Sequence, residues 1–243
     1  MANTPANPDD AFLREVDEEF RRSQLLGLWQ RYGRIGIAVL LLALGALAGW
    51  LFWQDRQEKA AGAAGQALTQ AITQLEVGEG ARARPVLDAM TRDGPGAYAG
   101  LARMVLANDA LAGGDKAKAR GLYEAIANDE DAPQPLRDAA LVKAVRVGFD
   151  QLAPAEVVAR LKPLAVPGNA WFGVAGELVA VAQVKAGKPD LARPILIAMV
   201  KDEGLSPSLR TRAAQLAIAV GVDVATLGIA ARPAAAAAPA AGR

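Results

Sequence analysis

The chain contains one long apolar run, residues 35–53, which reads IGIAVLLLALGALAGWLFW and carries no charged side chain. A helix rises about 1.5 Å per residue, so a run of this length comes close to the hydrocarbon thickness of a bilayer, about 30 Å. A helix also satisfies its own backbone hydrogen bonds inside lipid, where water is absent. The run therefore predicts a single transmembrane helix and places everything after Trp53 on one side of a membrane.

A cleaved signal peptide and a buried core helix are the alternatives for this run. Ala46-Leu47-Ala48 has the small-x-small form of a cleavage site, but thirty-four residues precede the run and its apolar character continues through Trp53. A core helix of a soluble protein is rarely this long and this uniformly apolar. Aromatic residues stand at both ends of the run, as at the two interfaces of a span: Trp29, Tyr32, Trp50 and Trp53.

The basic residues on either side of the run predict its orientation. Five precede it (Arg14, Arg21, Arg22, Arg31 and Arg34) and two follow it closely (Arg56 and Lys59). Lysine and arginine are enriched on the cytoplasmic side of membrane spans. We therefore expect residues 1–34 to be cytoplasmic and the bulk of the chain to lie on the outer side.

The residues before the run have the pattern of an amphipathic helix. Apolar positions from Phe12 to Tyr32 fall at helical spacing, with acidic residues early and arginines later, the order that a helix dipole favours. This helix either rests on the inner leaflet, where membrane lipid is its partner, or docks a cytosolic or membrane protein. We favour the first interpretation because an amphipathic helix beside a span needs no protein partner.

The composition excludes several kinds of chemistry. Cysteine and histidine are absent from all 243 residues, which removes thiol nucleophiles, disulfides, zinc sites built on these residues and histidine general bases. No nucleotide-binding loop or GxSxG motif occurs. The formal charge of +1 gives no indication of nucleic-acid binding. We predict no catalytic residue, no metal and no cofactor, and a protein that is not an enzyme.

After residue 54 the sequence repeats. Ala-Arg pairs begin at Ala83, Ala119, Ala159 and Ala192, with spacings of 36, 40 and 33 residues. Helical segments precede each pair, and glycine, proline, asparagine and aspartate separate the segments. This period is typical of a helix-turn-helix solenoid. We predict an all-α fold. Residues 54–222 should form a tetratricopeptide-like repeat domain, and a helix from Pro207 to about Val220 should cover the end of the stack.

The second helix of most repeats carries a small residue followed four residues later by a large one. The pairs are Ala83 with Leu87, Ala119 with Tyr123, and Ala192 with Leu196. The small residue lets a neighbouring helix approach while the large one fills the space behind it. Pro163 replaces the large residue in the third copy, and Pro85 and Pro194 are tolerable only within a first helical turn. We expect the recurring arginines, Arg84, Arg120, Arg160 and Arg193, to be exposed ends.

Two further segments carry predictions. Gly45 and Gly49 form a GxxxG pattern within the span, which marks a possible contact with another membrane helix. Residues 223–243 are an Ala/Pro-rich tail, which we expect to be disordered. The predicted organisation is therefore residues 1–34 as cytoplasmic tail, 35–53 as span, 54–222 as repeat domain and 223–243 as tail.

The order of these elements resembles a known family, the inner-membrane, tetratricopeptide-containing ancillary subunit of the bacterial Sec translocon. The resemblance covers about residues 10–220 and the start of the chain looks like that of α-proteobacterial members. The strings that carry it are Tyr32-Gly33-Arg34, residues 45–53, residues 98–102, Ala170-Trp171, Gly176-Glu177-Leu178, residues 186–193 and, at the start, residues 12–19.

The resemblance implies a location, partners and a role. The chain would be a single-pass protein of the bacterial inner membrane with a periplasmic repeat domain. That domain would contact Sec translocon subunits and a membrane-anchored periplasmic prolyl-isomerase-like chaperone, and assist exported proteins. Our leading hypothesis is thus a non-enzymatic scaffold. The alternative is a cell-envelope assembly or division factor that uses the same repeats.

Overall fold

The computed structural model describes the backbone of residues 8–224 and the side chains of residues 34–224. Every regular element in that part of the chain is a helix, which confirms the predicted all-α fold. The nine helices are α1 (Pro8–Glu76), α2 (Gly80–Asp93), α3 (Tyr98–Ala112), α4 (Lys116–Ala127), α5 (Gln134–Gly148), α6 (Pro154–Leu161), α7 (Phe172–Lys185), α8 (Pro189–Lys201) and α9 (Pro207–Ala219).

The chain divides into two compact units between Ala60 and Ala61. In the first unit α1 begins at Pro8 and continues without interruption into the apolar run, so the helix predicted before the span is not a separate element. Its predicted amphipathic side chains, residues 8–33, lie outside the described side chains. The predicted Ala/Pro-rich tail also lies outside the described residues, apart from Asp223 and Val224.

The apolar run is exposed throughout. Every side chain of residues 34–60 is exposed, including Leu42 at 74% and Trp53 at 59%. This excludes the interpretation of the run as a buried core helix, since a core helix would be covered by other parts of the fold. An apolar surface of this extent is unfavourable in water. By length and composition, α1 is the one helix in the described residues that qualifies as a membrane span.

The second unit is a stack of helix pairs. The C-terminal part of α1 pairs with α2, α3 with α4, α5 with α6, and α7 with α8, while α9 packs on α8 at the end. Among the first helices of the pairs, α3 approaches α5, α5 approaches α7 and α7 approaches α9. No comparable approach joins α2, α4, α6 and α8 within the described residues. The stack therefore curves with the first helices on its inner side, and we call the surface formed by α3, α5, α7 and α9 the first-helix face.

Three of the four pairs share one turn. Gly78, Gly114 and Gly187 have φ angles of 84°, 83° and 70°, and each follows a first helix closely. The amide after each glycine bonds a carbonyl five residues back, as in Asp115 N to Ala110 O at 2.9 Å, which ends the helix in a Schellman motif. Each glycine precedes the buried alanine of the next helix by five residues. The turn therefore fixes which face of the second helix enters the core.

The predicted small and large pairs form the core of these three repeats. Ala83 and Leu87, Ala119 and Tyr123, and Ala192 and Leu196 are all 0% exposed. Each pair packs in a hydrophobic cluster with the adjacent first helices. The prediction from the sequence is confirmed at these six positions.

The third repeat has a different register from the one predicted. Ala159 is exposed, and the buried residues of α6 are Val157 at 1% and Leu161 at 0%. The turn before α6 runs over residues 149–153, two residues longer than the other three turns, and contains no glycine. Because the turn is longer, the first buried residue of α6 lies two residues further from the end of the first helix than in the other repeats. Pro163 falls after the end of α6, which explains why α6 is short.

The prolines of α2 and α8 lie further into their helices than expected. Pro85 and Pro194 are inside α2 and α8, each at the sixth residue, so the restriction to a first turn is wrong. Because proline has no N–H, one backbone carbonyl close to the start of each helix lacks its helical hydrogen-bond partner. Gly121 occupies the same place in α4.

Arg84 is exposed as expected, at 54%, but Arg120 and Arg160 are not the exposed ends that we expected, and all four arginines of the Ala-Arg pairs have polar partners. Arg120 and Arg160, at 28% and 24% exposure, both contact Glu124 Oε1, at 3.0 and 3.2 Å. Burial alone raises the pKa of Glu124, but the hydrogen bonds from the two arginines outweigh it and the pKa lies below its ordinary value. Because Arg160 comes from α6 and Glu124 from α4, this pair links two repeats.

The other two recurring arginines also connect helices. Arg84 Nε of α2 lies 2.8 Å from Asp109 Oδ2 of α3. Arg193 Nε of α8 donates to the carbonyl of Val220, at 2.9 Å, just beyond the end of α9. Arg84, Arg160 and Arg193 therefore reach from a second helix to another part of the stack, whereas Arg120 contacts Glu124 of its own helix.

Glycines allow the first helices to approach one another. A Cβ at Gly100 would lie 2.7 Å from Leu136 Cδ2 of the next first helix, and one at Gly173 would lie 2.9 Å from both Leu205 and Leu209. A Cβ at Gly65 of α1 would similarly lie 3.0 Å from the hydroxyl oxygen of Tyr98. A large side chain at the start of one first helix thus covers a glycine of the preceding one. The close approach leaves no space for a larger residue at these glycines.

We expect Gly173→Val to lower the free energy of unfolding by about 1–3 kcal/mol, because the added methyl groups displace Leu205 and Leu209. Gly121→Ala is the matched change on α4, where a Cβ meets no atom within 4 Å. It should raise the free energy of unfolding by about 0.5–1 kcal/mol, because alanine has the higher helix propensity. Denaturant unfolding followed by circular dichroism measures both. Equal stability of Gly173→Val and the unmodified chain would contradict the packing described.

Candidate partner-binding surface

The described residues offer no metal site. No group of three or more acidic side chains lies close enough together to hold an ion in that part of the chain. The repeats offer charged groups and a pocket on their surface.

Polar links between residues that are 35 positions apart in the sequence run along the first-helix face. Lys185 Nζ of α7 lies 2.9 Å from Asp150 Oδ1, just after α5. Arg212 of α9 makes a two-point contact with the carboxylate of Glu177 in α7, at 2.9 and 2.6 Å. The hydrogen bond from Lys185 lowers the pKa of Asp150, and the hydrogen bonds that Arg212 donates to Glu177 raise the pKa of Arg212. In both links a cation of one first helix meets an acid 35 residues earlier.

A third link has the same spacing but no acid. Lys143 Nζ of α5 lies 3.3 Å from Asn108 Oδ1 of α3, where the other links have a carboxylate. The hydroxyl of Tyr123 donates to the same oxygen at 2.6 Å. Lys143 also lies over the ring of Tyr123, 5.5 Å from its centroid, in a cation–π contact. We call Asn108, Tyr123, Lys143 and the neighbouring Arg146 the Lys143 cluster.

The electrostatics of the Lys143 cluster are those of unneutralised positive charge. Burial lowers the pKa of Lys143, and the positive charge of Arg146 lowers it further. Burial raises the pKa of Tyr123, and Arg146 partly offsets that effect. Arg146 is therefore close to both groups. No carboxylate lies within ion-pair distance of Lys143 or Arg146 in the described part of the chain.

A pocket of about 310 Å³ lies beside this cluster, at the irregular turn of the third repeat. Leu152, Val157 and Ala182 form its buried apolar wall. Lys185 and Asp150 stand at its edge, and Lys185 lies 4.6 Å from the centroid of the Phe149 ring. The pocket is large enough for one or two side chains of a bound segment. Its lining includes residues of the longer turn, Phe149, Asp150 and Leu152, and Pro154 and Val157 of the short α6.

The Lys143 cluster and the pocket were not predicted from the sequence. A signal was present, since Asn108 and Lys143, Asp150 and Lys185, and Glu177 and Arg212 are each 35 residues apart. That spacing is close to the repeat length, so pairs of polar residues one repeat apart on first helices were candidates for contact. The pocket had no comparable signal, because it depends on the length of a turn.

The predicted contact at Gly45 and Gly49 is not tested by the structure. A Cβ at either glycine meets no atom within 4 Å, so no other described part of the chain covers this face. The contact with a second membrane helix stays a prediction.

A stack of helix pairs with a curved, polar inner face and one pocket defines a helical-repeat protein, a class that binds other proteins. The chain belongs to the tetratricopeptide repeat-like domain family, which it matches over residues 27–196. Domains of this family are typically non-enzymatic scaffolds for protein–protein interaction. No curated protein and no solved structure matches the chain.

The titration of Lys143 checks the geometry of the cluster directly. We expect its pKa to lie below the ordinary 10.5 and to rise in Arg146→Gln, because a neighbouring positive charge is removed. Reductive ¹³C-methylation of the lysines and NMR titration measure it, with Lys143→Arg to assign the signal. Lys201→Gln, which removes an exposed charge of α8, is the control and should leave the Lys143 titration unchanged. An unchanged Lys143 titration in Arg146→Gln would contradict the proximity described.

Proposed function

We propose that this protein is a membrane-anchored scaffold associated with the Sec translocon, which binds a periplasmic chaperone and assists exported proteins. The observation that carries the proposal is the extent of the family match. It begins at residue 27 and ends at residue 196, so it includes the apolar run as well as the helix pairs. Anchor and repeats thus fall within one family match, and the resemblance of the sequence to the translocon subunit covers the same part of the chain.

The proposed mechanism follows from two features of the chain, a binding surface and a membrane anchor. A surface without catalytic groups acts by binding, and a membrane anchor raises the effective concentration of that surface near partners in the same membrane. Effective concentrations can reach the millimolar range for short connections, so weak binding to each partner is sufficient. The repeats then hold a chaperone, or a segment of an exported chain, close to the exit of the channel.

The proposal requires a defined topology in the bacterial inner membrane. The excess of arginine before the span favours a cytoplasmic N-terminus and a periplasmic repeat domain. A reporter enzyme that is active only outside the cytoplasm should be active when fused after residue 60 and inactive when fused before residue 34. The reverse pattern would overturn the orientation and with it the periplasmic partners.

The anchor itself has a candidate contact for translocon subunits. Gly45 and Gly49 lie one turn apart on an exposed helix, and small residues allow the backbones of two membrane helices to approach closely. Gly36 lies nine residues before Gly45, which places it about 180° around the helix. It is therefore a glycine of the same span on the opposite face.

We expect Gly45→Leu with Gly49→Leu to reduce co-purification of translocon subunits from mild detergent by about tenfold, because the leucines separate the two helices. Gly36→Leu is the matched control and should leave co-purification unchanged. Quantitative mass spectrometry of the purified complexes measures both. A chain that migrates alone after mild cross-linking would contradict association with the translocon, and equal losses for the two faces would contradict the assigned contact.

Cellular distribution separates the proposal from the division or envelope-assembly alternative. A translocon scaffold should be distributed evenly around the envelope, whereas a division factor should concentrate at the septum. A septal focus of a tagged full-length chain would therefore count against the translocon proposal.

A further inference from the structure

The turn after α9 has the form that begins a second helix elsewhere in the stack. Gly221 has a φ angle of 82°, and Val222 N donates to Ala217 O at 2.9 Å. This is the Schellman motif that follows α1, α3 and α7, where the chain continues into a second helix. α9 therefore ends as a first helix does, although no second helix follows it within the described residues.

The surface of α9 is open where a second helix would cover it. The residue three positions before the turn glycine is Leu75 in α1 and Leu111 in α3, and both pack against a core that includes the second helix of their own pair. Val184 has this place in α7 and is 41% exposed. Ile218 has it in α9 and is 62% exposed, more than any other large apolar side chain in α2–α9.

The chain after α9 stays on the stack as far as it is described. Val222 and Val224 pack against the core that α8 and α9 share. Arg193 Nε donates to the carbonyl of Val220 at 2.9 Å, which holds the turn against α8. The backbone of Val224 lies in a helical turn. The chain thus leaves α9 close to Ile218 and with the beginning of a helix.

The sequence that follows has the small and large spacing of a second helix. Residues 224–231 read VATLGIAA and carry no charge. Ala225 and Ile229 are four residues apart, as Ala192 and Leu196 are in α8, and they follow that pair by 33 residues. Ala225 lies four residues after its turn glycine, whereas Ala192 lies five after its own. The turn is therefore one residue shorter, a smaller difference than the one before α6.

Both ends of this segment carry helix-boundary residues. Asp223 precedes it, in the way that Asp115 precedes α4 and caps it by accepting a hydrogen bond from Lys118 N. Arg232 falls at the other end, where a helix dipole favours a positive charge, and Pro233 follows directly.

We propose that residues 224–232 form a short second helix that packs on α9, covers Ile218 with Ile229 and closes the stack as a fifth helix pair. A helix of nine residues is marginal in water by itself, so it depends on this packing. We expected residues 223–243 to be disordered, and the proposal instead assigns their first part to the fold. The open side of α9 is then occupied by the chain itself, and the first-helix face remains for partners.

Hydrogen exchange measured by mass spectrometry on the full-length chain in detergent micelles tests the proposal. We expect the amides of residues 228–232 to exchange about tenfold or more slowly than an unstructured peptide of the same sequence, because helical hydrogen bonds protect them. Residues 234–243 lie outside the proposed helix and should exchange at the unstructured rate. The protection should be the same after about tenfold dilution, because the segment and α9 belong to one chain.

Variants of the two facing residues locate the packing. Ile229→Ser and Ile218→Ser should each remove most of the protection of residues 228–232, because each deletes one side of an apolar contact. Ile218 lies outside the segment, so its substitution leaves the helix propensity of the segment unchanged. Ile218→Leu should retain the protection. Val86→Ser changes another exposed apolar residue, 42% exposed on α2, and is the matched control that should have no effect.

Four results would overturn the proposal. These are unstructured exchange of residues 228–232 in the unmodified chain, protection that persists in Ile218→Ser, an equal loss in Val86→Ser, and protection that falls on dilution, which would show that a second copy supplies the segment. Circular dichroism checks that each variant keeps its helices, as expected from the exposure of Ile218. The purified chain is used alone, so the outcome is separate from association with the translocon.

Discussion

The close approach of helices at small residues is the interaction on which the rest of the repeat unit depends. Buried alanines such as Ala83, Ala119 and Ala192 let first and second helices pack, and Gly100 and Gly173 let consecutive first helices pack. A large residue fills the space behind each small one, which gives the dense packing of protein interiors. Because the first helices approach one another and the second helices do not, this packing also produces the curvature of the stack. The positions of the small residues therefore determine which helices form the inner surface.

Charged residues then join repeats that the core has already brought together. Glu124 receives Arg120 from its own helix and Arg160 from the next repeat, and Glu177 receives Arg212. Surface ion pairs contribute little stability individually, about 0–1 kcal/mol. Their more informative property is that two of the three links between residues 35 apart pair a cation with an acid, whereas Lys143 meets the neutral Asn108. A regular scaffold makes such an exception recognisable without a comparison of relatives.

Much of the fold could be predicted from the sequence because its signals are local. The apolar run, the glycine turns and the pairs such as Ala119 with Tyr123 each lie within a few residues of one another, and the structure has them as helix, turn and core. The third repeat was misplaced because Ala159-Arg160 imitates the marker of the other repeats. The residues of α6 that are buried are Val157 and Leu161, because the turn before α6 is two residues longer than in the other repeats. The Ala-Arg pair carries no information about the length of that turn.

The longer turn before α6 also forms part of the candidate site, because three of its residues line the pocket. A turn with glycine at positive φ ends α1, α3 and α7 and starts the next helix at a fixed distance. After α5 the chain instead passes through Phe149 and Leu152 before α6 begins, and α6 ends early at Leu161. The pocket lies at this turn, and Lys185 and Asp150 stand at its edge. The third repeat thus departs from the regular pattern where apolar side chains and a charged pair lie together, while the other three repeats keep the register of the buried alanine.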